Sequence, residues 1–130
     1  MPHPRVAVRG LLLLCDRLLL VNAYRGRTNL WCAPGGGVER GTSLPDNLIR
    51  EFHEETGLHI CVGAPCLINE FHDPNATFHQ VDIYFRVFAD SSRLPAQWTD
   101  PEGIVNRRRF ASREEIGSLR VKPDSLAQAA

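Results

Sequence analysis

A chain of 130 residues is close to the usual size of one domain and can bury a real core. Hydrophobic residues at 43% and charged residues at 23% are ordinary for a water-soluble globular protein, and a formal net charge of zero removes any global pull toward nucleic acid or an anionic membrane. No apolar segment approaches the roughly 18 residues of a transmembrane helix, and Arg9 interrupts the first apolar run, so no signal-peptide layout is present.

One domain over residues 1–130 in the cytoplasm is the expectation. The cysteines Cys15, Cys32, Cys61 and Cys66 are scattered and form no C-x-x-C, so reduced, partly buried thiols are expected there and not a zinc site.

Arg5–Leu14 and Leu18–Tyr24 are near-continuous apolar runs around Cys15-Asp16-Arg17, a strand–turn–strand pattern with both faces covered. Residues 25–29 form a polar loop, and a short strand over Leu30–Ala33 leads to Pro34. Arg25 and Arg27 are either forks for phosphate oxygens or solvated loop charges. Trp31 is either a stacking surface for a base or a packing residue.

Gly35, Gly36 and Gly37 predict a sharp turn that a ligand can approach closely. A helix follows, with Ser43 as N-cap, Asp46 completing an approximate capping box, Pro45 in the tolerant first turn and Gly57 as C-cap. Glu51, Glu54 and Glu55 share one helix face at i, i+3 and i+4, within an arc of roughly 100°. Leu44, Leu48, Ile49 and Phe52 fill the adjoining arc. Three carboxylates so close repel one another unless a cation is present, and Mg²⁺ favours such hard oxygens together with substrate phosphates.

Beyond the helix, His59–Asn69 is expected as a strand bent at Gly63 and Pro65, and residues 70–75 as a turn-rich loop. Thr77–Ala89 alternates as a long strand, with Val81, Ile83, Phe85 and Val87 opposite Asp82, Tyr84 and Arg86. Residues 91–102 are proline-rich and polar, a surface loop. A last strand over Ile104–Phe110, a helix over Arg113–Leu119 capped by Ser112, and a short terminal helix over Val121–Ala130 complete the expectations.

The stretch Pro34–Leu58 resembles the Nudix box, G-x5-E-x7-R-E-U-x-E-E-x-G-U with U a bulky aliphatic residue. Gly36 takes its first position, and Arg50, Glu51, Phe52, Glu54, Glu55, Gly57 and Leu58 match the second half in register. Phe52 replaces the aliphatic residue, and Thr42 stands where the box has its first glutamate, which in that family commonly pairs with the box arginine. Arg50 then needs another partner, with Glu39 and Glu54 as candidates.

The resemblance implies an α/β protein with the Nudix fold, a mixed β-sheet sandwiched between helices. It also implies Mg²⁺- or Mn²⁺-dependent hydrolysis of a diphosphate bond in a nucleoside diphosphate linked to a moiety X. The metal ligands would be Glu51, Glu54 and Glu55, and Arg25, Arg27, Arg50 and the glycines would meet substrate. By the same likeness, Asp100-Pro101-Glu102 followed by Arg109-Phe110 makes Glu102 a candidate extra ligand or general base, with Glu70 as a second candidate.

Phe71, Phe78, Tyr84 and Trp98 either stack on a base or pack internally, and His72 and His79 either contact substrate or stand exposed. Pro74 lies where ADP-ribose hydrolases of the family carry a proline, although His72-Asp73-Pro74-Asn75 is equally a turn. The partner expected is a small nucleotide, not a membrane or a nucleic acid, and a homodimer is compatible with the family. Thr42 keeps two alternatives open: a catalytically impaired nucleotide sensor and an interaction module on the same scaffold.

Overall fold

A computed structural model describes residues 3–24, 27–89, 94–95, 98–101, 103, 105, 107–123 and 126, without the side chains of 23–24 and 27–29. Among these residues the strands are β1 (Arg5–Leu14), β2 (Arg17–Tyr24), β3 (Arg27–Cys32), β4 (Gly35–Gly37), β5 (Ile60–His72), β6 (His79–Ala89), β7 (Arg108–Ser112) and β8 (Arg120–Lys122). The helices are α1 (Leu44–Thr56) and α2 (Arg113–Ser118).

β1 is the hub of the sheet. It pairs in parallel with β6 along most of its length, antiparallel with β4 on its other side, and antiparallel with β2 at its C-terminal end. The main path runs β5-β6-β1-β2-β3-β8, with β7 paired to β2. Parallel β1–β6 and β3–β8 ladders beside antiparallel neighbours make the sheet mixed. Cys15 and Asp16 form the tight β1–β2 turn with φ of 51° and 62°, the left-handed pair that a two-residue hairpin with right-handed strand twist requires.

The apolar run of β1 is buried on both faces. Val8 and Leu12 join Leu19, Phe85 and Val87 under Leu48 and Phe52 of α1. Leu11 turns the other way, to Leu18, Leu20, Trp31, Tyr84 and Ile116 of α2. Phe52 fits because Gly10 lies beneath it: a Cβ there would stand 2.8 Å from its ring. The full burial of Phe52 contributes on the order of 1.5–3 kcal/mol. No helix among the described residues is long and apolar enough to cross a membrane.

Several expectations need correction. The glycine stretch is not a turn but strand β4, because bare backbone can lie against β1 where a Cβ on Gly35 would stand 2.0 Å from the Val8 carbonyl oxygen. β3 begins at Arg27, where it pairs with Tyr24, so the expected polar loop is shorter. β5 continues through Glu70, Phe71 and His72, because β6 supplies partners as far as His79. The bend in β5 is real: its register shifts on both sides of Pro65, which has no N–H for the ladder.

The last long strand is Arg108–Ser112, not Ile104–Phe110. Val121, expected in a terminal helix, lies in β8 beside Trp31. Pro123 disfavours helical backbone just before it, and the pairing to β3 is non-local. On the polar side of β6, Gln80, Asp82 and Tyr84 are all buried.

Candidate functional site

Local chemistry sets the ends of α1. Ser43 is extended and its hydroxyl accepts the Asp46 N–H at 3.2 Å, while Gly57 has φ of 80° and donates its N–H to the His53 carbonyl at 2.8 Å. Between these caps the acidic face turns toward β4. The Gly35 N–H donates to Glu55 Oε1 at 3.2 Å. A Cβ on Gly36 would lie 2.7 Å from Glu51 Oε2, so only glycine lets the strand pass so close to that carboxylate.

Glu51 and Glu55 both face a cavity of about 890 Å³, together with Gly35, Gly36 and Gly37. Glu54 is set to one side. Its Oε1 accepts from Arg50 Nη1 at 3.2 Å, and its Oε2 is buried with no hydrogen-bond partner among the described residues.

Arg50 is held among carboxylates, 3.3 Å from Glu51 and 3.5 Å from the exposed Glu39, as well as on Glu54. The partners anticipated for it are therefore the ones it meets. The Glu39 pair is largely solvated and contributes little. Thr42 is exposed, and its N–H donates to the Glu39 carbonyl at 3.2 Å.

The loop–helix junction is tied by a residue the sequence did not single out. Asn47 is fully buried: its Oδ1 accepts the Glu39 N–H at 3.0 Å, its Nδ2 donates to the Gly37 carbonyl at 3.1 Å, and Arg50 Nη2 reaches the same Oδ1 at 3.4 Å.

Two more polar residues went unnoticed as site residues, the half-buried Arg9 and the buried Asp82, and Tyr84, weighed only for stacking or packing, stands buried beside them. Arg9 Nη1 donates to the Ala33 carbonyl at 2.9 Å, and Arg9 Nε stands 3.6 Å from Asp82 Oδ2. Burial opposes its charge, but Cys32, Asp82, Tyr84 and Glu55 around it outweigh that and hold its pKa above the ordinary value. Burial also pushes the Cys32 thiol and the Tyr84 hydroxyl upward. The signal was present, since a lone arginine inside the apolar run of β1 needs a buried partner.

Burial raises the Glu55 carboxyl to about 8. Arg9 and the Gly35 N–H oppose that shift, and the charges of Glu51 and Asp100 add to it. Trp98 donates its Nε1–H to the Glu54 carbonyl at 2.8 Å, and Arg108 donates to the carbonyls of Thr56 and Pro95 at 2.7 Å each. The end of α1 is thereby strapped to the loop that carries Asp100.

Glu102, Arg25 and the side chain of Arg27 lie outside the described residues. Glu70 reaches the far rim of the cavity, where it pairs with His79 at 2.7 Å. The His72 ring lies tilted against that of His79, at 4.5 Å between ring centroids. Phe71 and Phe78 line that rim, whereas Trp31 is core, with the Arg107 and Arg109 guanidinium groups over its ring. Cys32 is buried; Cys15, Cys61 and Cys66 are exposed, more so than expected.

A family model described as the NUDIX domain matches residues 3–129. The chain belongs to the Nudix family. An "Uncharacterized Nudix hydrolase YvcI" of Bacillus subtilis is 47% identical over 45 residues, covering 35% of this chain and 27% of that protein. An "ADP-ribose pyrophosphatase" of Methanocaldococcus jannaschii is 32% identical over 87 residues, covering 64% of this chain and 50% of that one.

The Nudix chain described here thus spans half or less of these relatives' lengths. Among solved structures, a NUDIX hydrolase from Nitrosomonas europaea superposes with a TM-score of 0.80 at 22% identity, covering 98% of this chain and 86% of that one. At that identity the likeness is one of fold.

Nudix hydrolases generally use divalent metal ions. Among the described residues no three His, Cys, Asp or Glu side chains converge as a metal would draw them together. The donor chemistry nevertheless fits a hard cation: three carboxylates on one helix face, with the buried Glu54 Oε2 lacking any donor.

Proposed function

We propose that this protein hydrolyses a diphosphate bond in a nucleoside diphosphate linked to a moiety X, with Mg²⁺ or Mn²⁺ held by Glu51, Glu54 and Glu55. The observation that carries this reading is the contact of Glu51 and Glu55 with the bare β4 backbone at one wall of a nucleotide-sized cavity. The ADP-ribose pyrophosphatase of Methanocaldococcus jannaschii supports a substrate of that class. When bound, the divalent cation supplies Lewis-acid neutralisation of phosphate charge and activation of water.

The chain's own residues supply position and proton transfer. The glycine strand lets the diphosphate approach Glu51 and Glu55 without a side chain between them. One of the acidic-face glutamates or Glu102 would take the proton from the attacking water. Arg50 and Asn47 position the acidic face and do not themselves line the cavity.

The test is a hydrolysis panel of (d)NTPs, oxidised dGTP, ADP-ribose, NADH, nucleotide sugars and dinucleoside polyphosphates, with Mg²⁺, Mn²⁺ or EDTA. Metal-dependent release of a mononucleotide or pyrophosphate is expected. Thr42, exposed and offering no carboxylate, favours a second reading as a nucleotide sensor. Binding across the panel with no turnover would establish the sensor instead.

A further inference from the structure

Strand register builds the floor of the cavity. Ala7 of β1 has Asp82 of β6 beside it on one side and Gly37 of β4 on the other. Ala7 offers only a methyl group in that row, the Arg5 guanidinium lies over Gly37, and Asp82 lines the same cavity. Asp82 is 1% exposed. Its Oδ1 accepts from Gln80 Nε2 at 2.7 Å, but its Oδ2 makes no hydrogen bond among the described residues.

The cation facing that oxygen, Arg9 Nε, stands at 3.6 Å, beyond hydrogen-bond length. The Tyr84 hydroxyl also reaches the Asp82 carboxylate, which lines the cavity; a buried carboxylate oxygen short of a donor is costly, and a ligand that brings a donor would recover that cost.

The class of donor follows from position. β4 and β6 flank β1, so with neighbouring strands about 4.8 Å apart the glycine strand and Asp82 are separated by roughly 10 Å. In a nucleoside diphosphate the ribose is bonded directly to the diphosphate, and its 2′- and 3′-hydroxyls are the first hydrogen-bond donors beyond it. The base is carried further, toward Phe71 and Phe78 on the rim.

We propose that Asp82 reads the ribose: its unpartnered Oδ2 accepts a hydrogen bond from the 2′-hydroxyl, which makes the site selective for ribonucleotides over deoxyribonucleotides. This rests on the diphosphate reading above and adds to it the sugar class of the substrate. Gln80 holds the carboxylate from below, and Arg9 keeps a positive charge beside it.

The probes are non-hydrolysable α,β-methylene diphosphates of adenosine, guanosine, uridine and cytidine, each as the ribo and the 2′-deoxy form. Binding is measured calorimetrically with Mg²⁺, so turnover is not required. The wild-type protein should bind the ribo form of its preferred nucleotide tighter by on the order of tenfold or more, as for a hydrogen bond to a charged group. In Asp82→Asn and Asp82→Ala that ratio should collapse toward one, with melting temperatures recorded alongside.

Equal affinities in the wild type overturn the proposal even if neither variant folds. A ratio that survives in the variants, with both forms weakened together, also overturns it and reduces Asp82 to a support for Arg9. Failure of every diphosphate probe to bind removes the diphosphate reading itself and this inference with it, whereas binding without discrimination removes only this inference.

Discussion

Asn47 replaces, by other chemistry, what the box glutamate missing at Thr42 would supply. It ties the backbone of Gly37 and Glu39 to the first turns of α1 and touches Arg50 as well. Asn47→Ala would leave a partly buried N–H and a partly buried carbonyl unpaired and should cost about 1–3 kcal/mol in urea denaturation. Thr42→Ala, at an exposed side chain, should be close to neutral in the same experiment. At the acidic face, Glu54→Gln and Glu55→Gln should each lower kcat by on the order of 100-fold or more while the circular dichroism spectrum is unchanged. Retention of most activity by either variant would remove that residue from the mechanism.

At the scale of elements, β4 exists because three glycines let two walls close on it, β1 on one side and Glu51 on the other. Gly35→Ala sets a Cβ against the Val8 carbonyl and should destabilise the fold by at least about 1–3 kcal/mol, read as a drop in melting temperature. Helix α2 offers a pH test away from the site. Glu115 closes a reciprocal capping box, its N–H donating to Ser112 Oγ at 3.2 Å and its Oε1 accepting the Ser112 N–H at 2.9 Å.

The bonds to Ser112 come first, with Arg109 adding to them, and they hold the Glu115 carboxyl below its ordinary 4.5. A carboxyl depressed in the folded state contributes stability above the unfolded pKa and loses it as pH falls through the folded one. Glu115→Gln should therefore melt below wild type at pH 7, and the gap should close as pH falls below 4.5. A gap independent of pH would show that ionisation plays no part.

For the whole molecule, ligand linkage is the direct check. If the acidic face and the glycine strand together receive a metal-bridged diphosphate, Mg²⁺ and nucleotide should raise the melting temperature more together than the sum of their separate effects. EDTA should abolish the surplus. Simple additivity would separate the two sites and count against the shared arrangement.

The extent to which this molecule was legible in its sequence divides by the range of the interactions concerned. Helix α1, from Ser43 to Gly57, could be read because caps, the i, i+4 acidic face and the apolar stripe are all local. The β1–β2 hairpin and the two long strands were legible for the same reason, through apolar runs and alternation.

What tertiary structure alone decided is where a partner comes from elsewhere in the chain. Gly35–Gly37 carries a turn composition, and only β1 alongside makes it a strand. Residues 120–122 have no strand signature until β3 pairs with them. Asp82 and Tyr84 alternate with the apolar side of their strand, and only parallel pairing with β1 places them beside Arg9 at a cavity. Local sequence determines which residues can cap, alternate or repel. The burial of a charge, and the oxygen it leaves without a donor among the described residues, depend on strands far apart in the chain brought side by side.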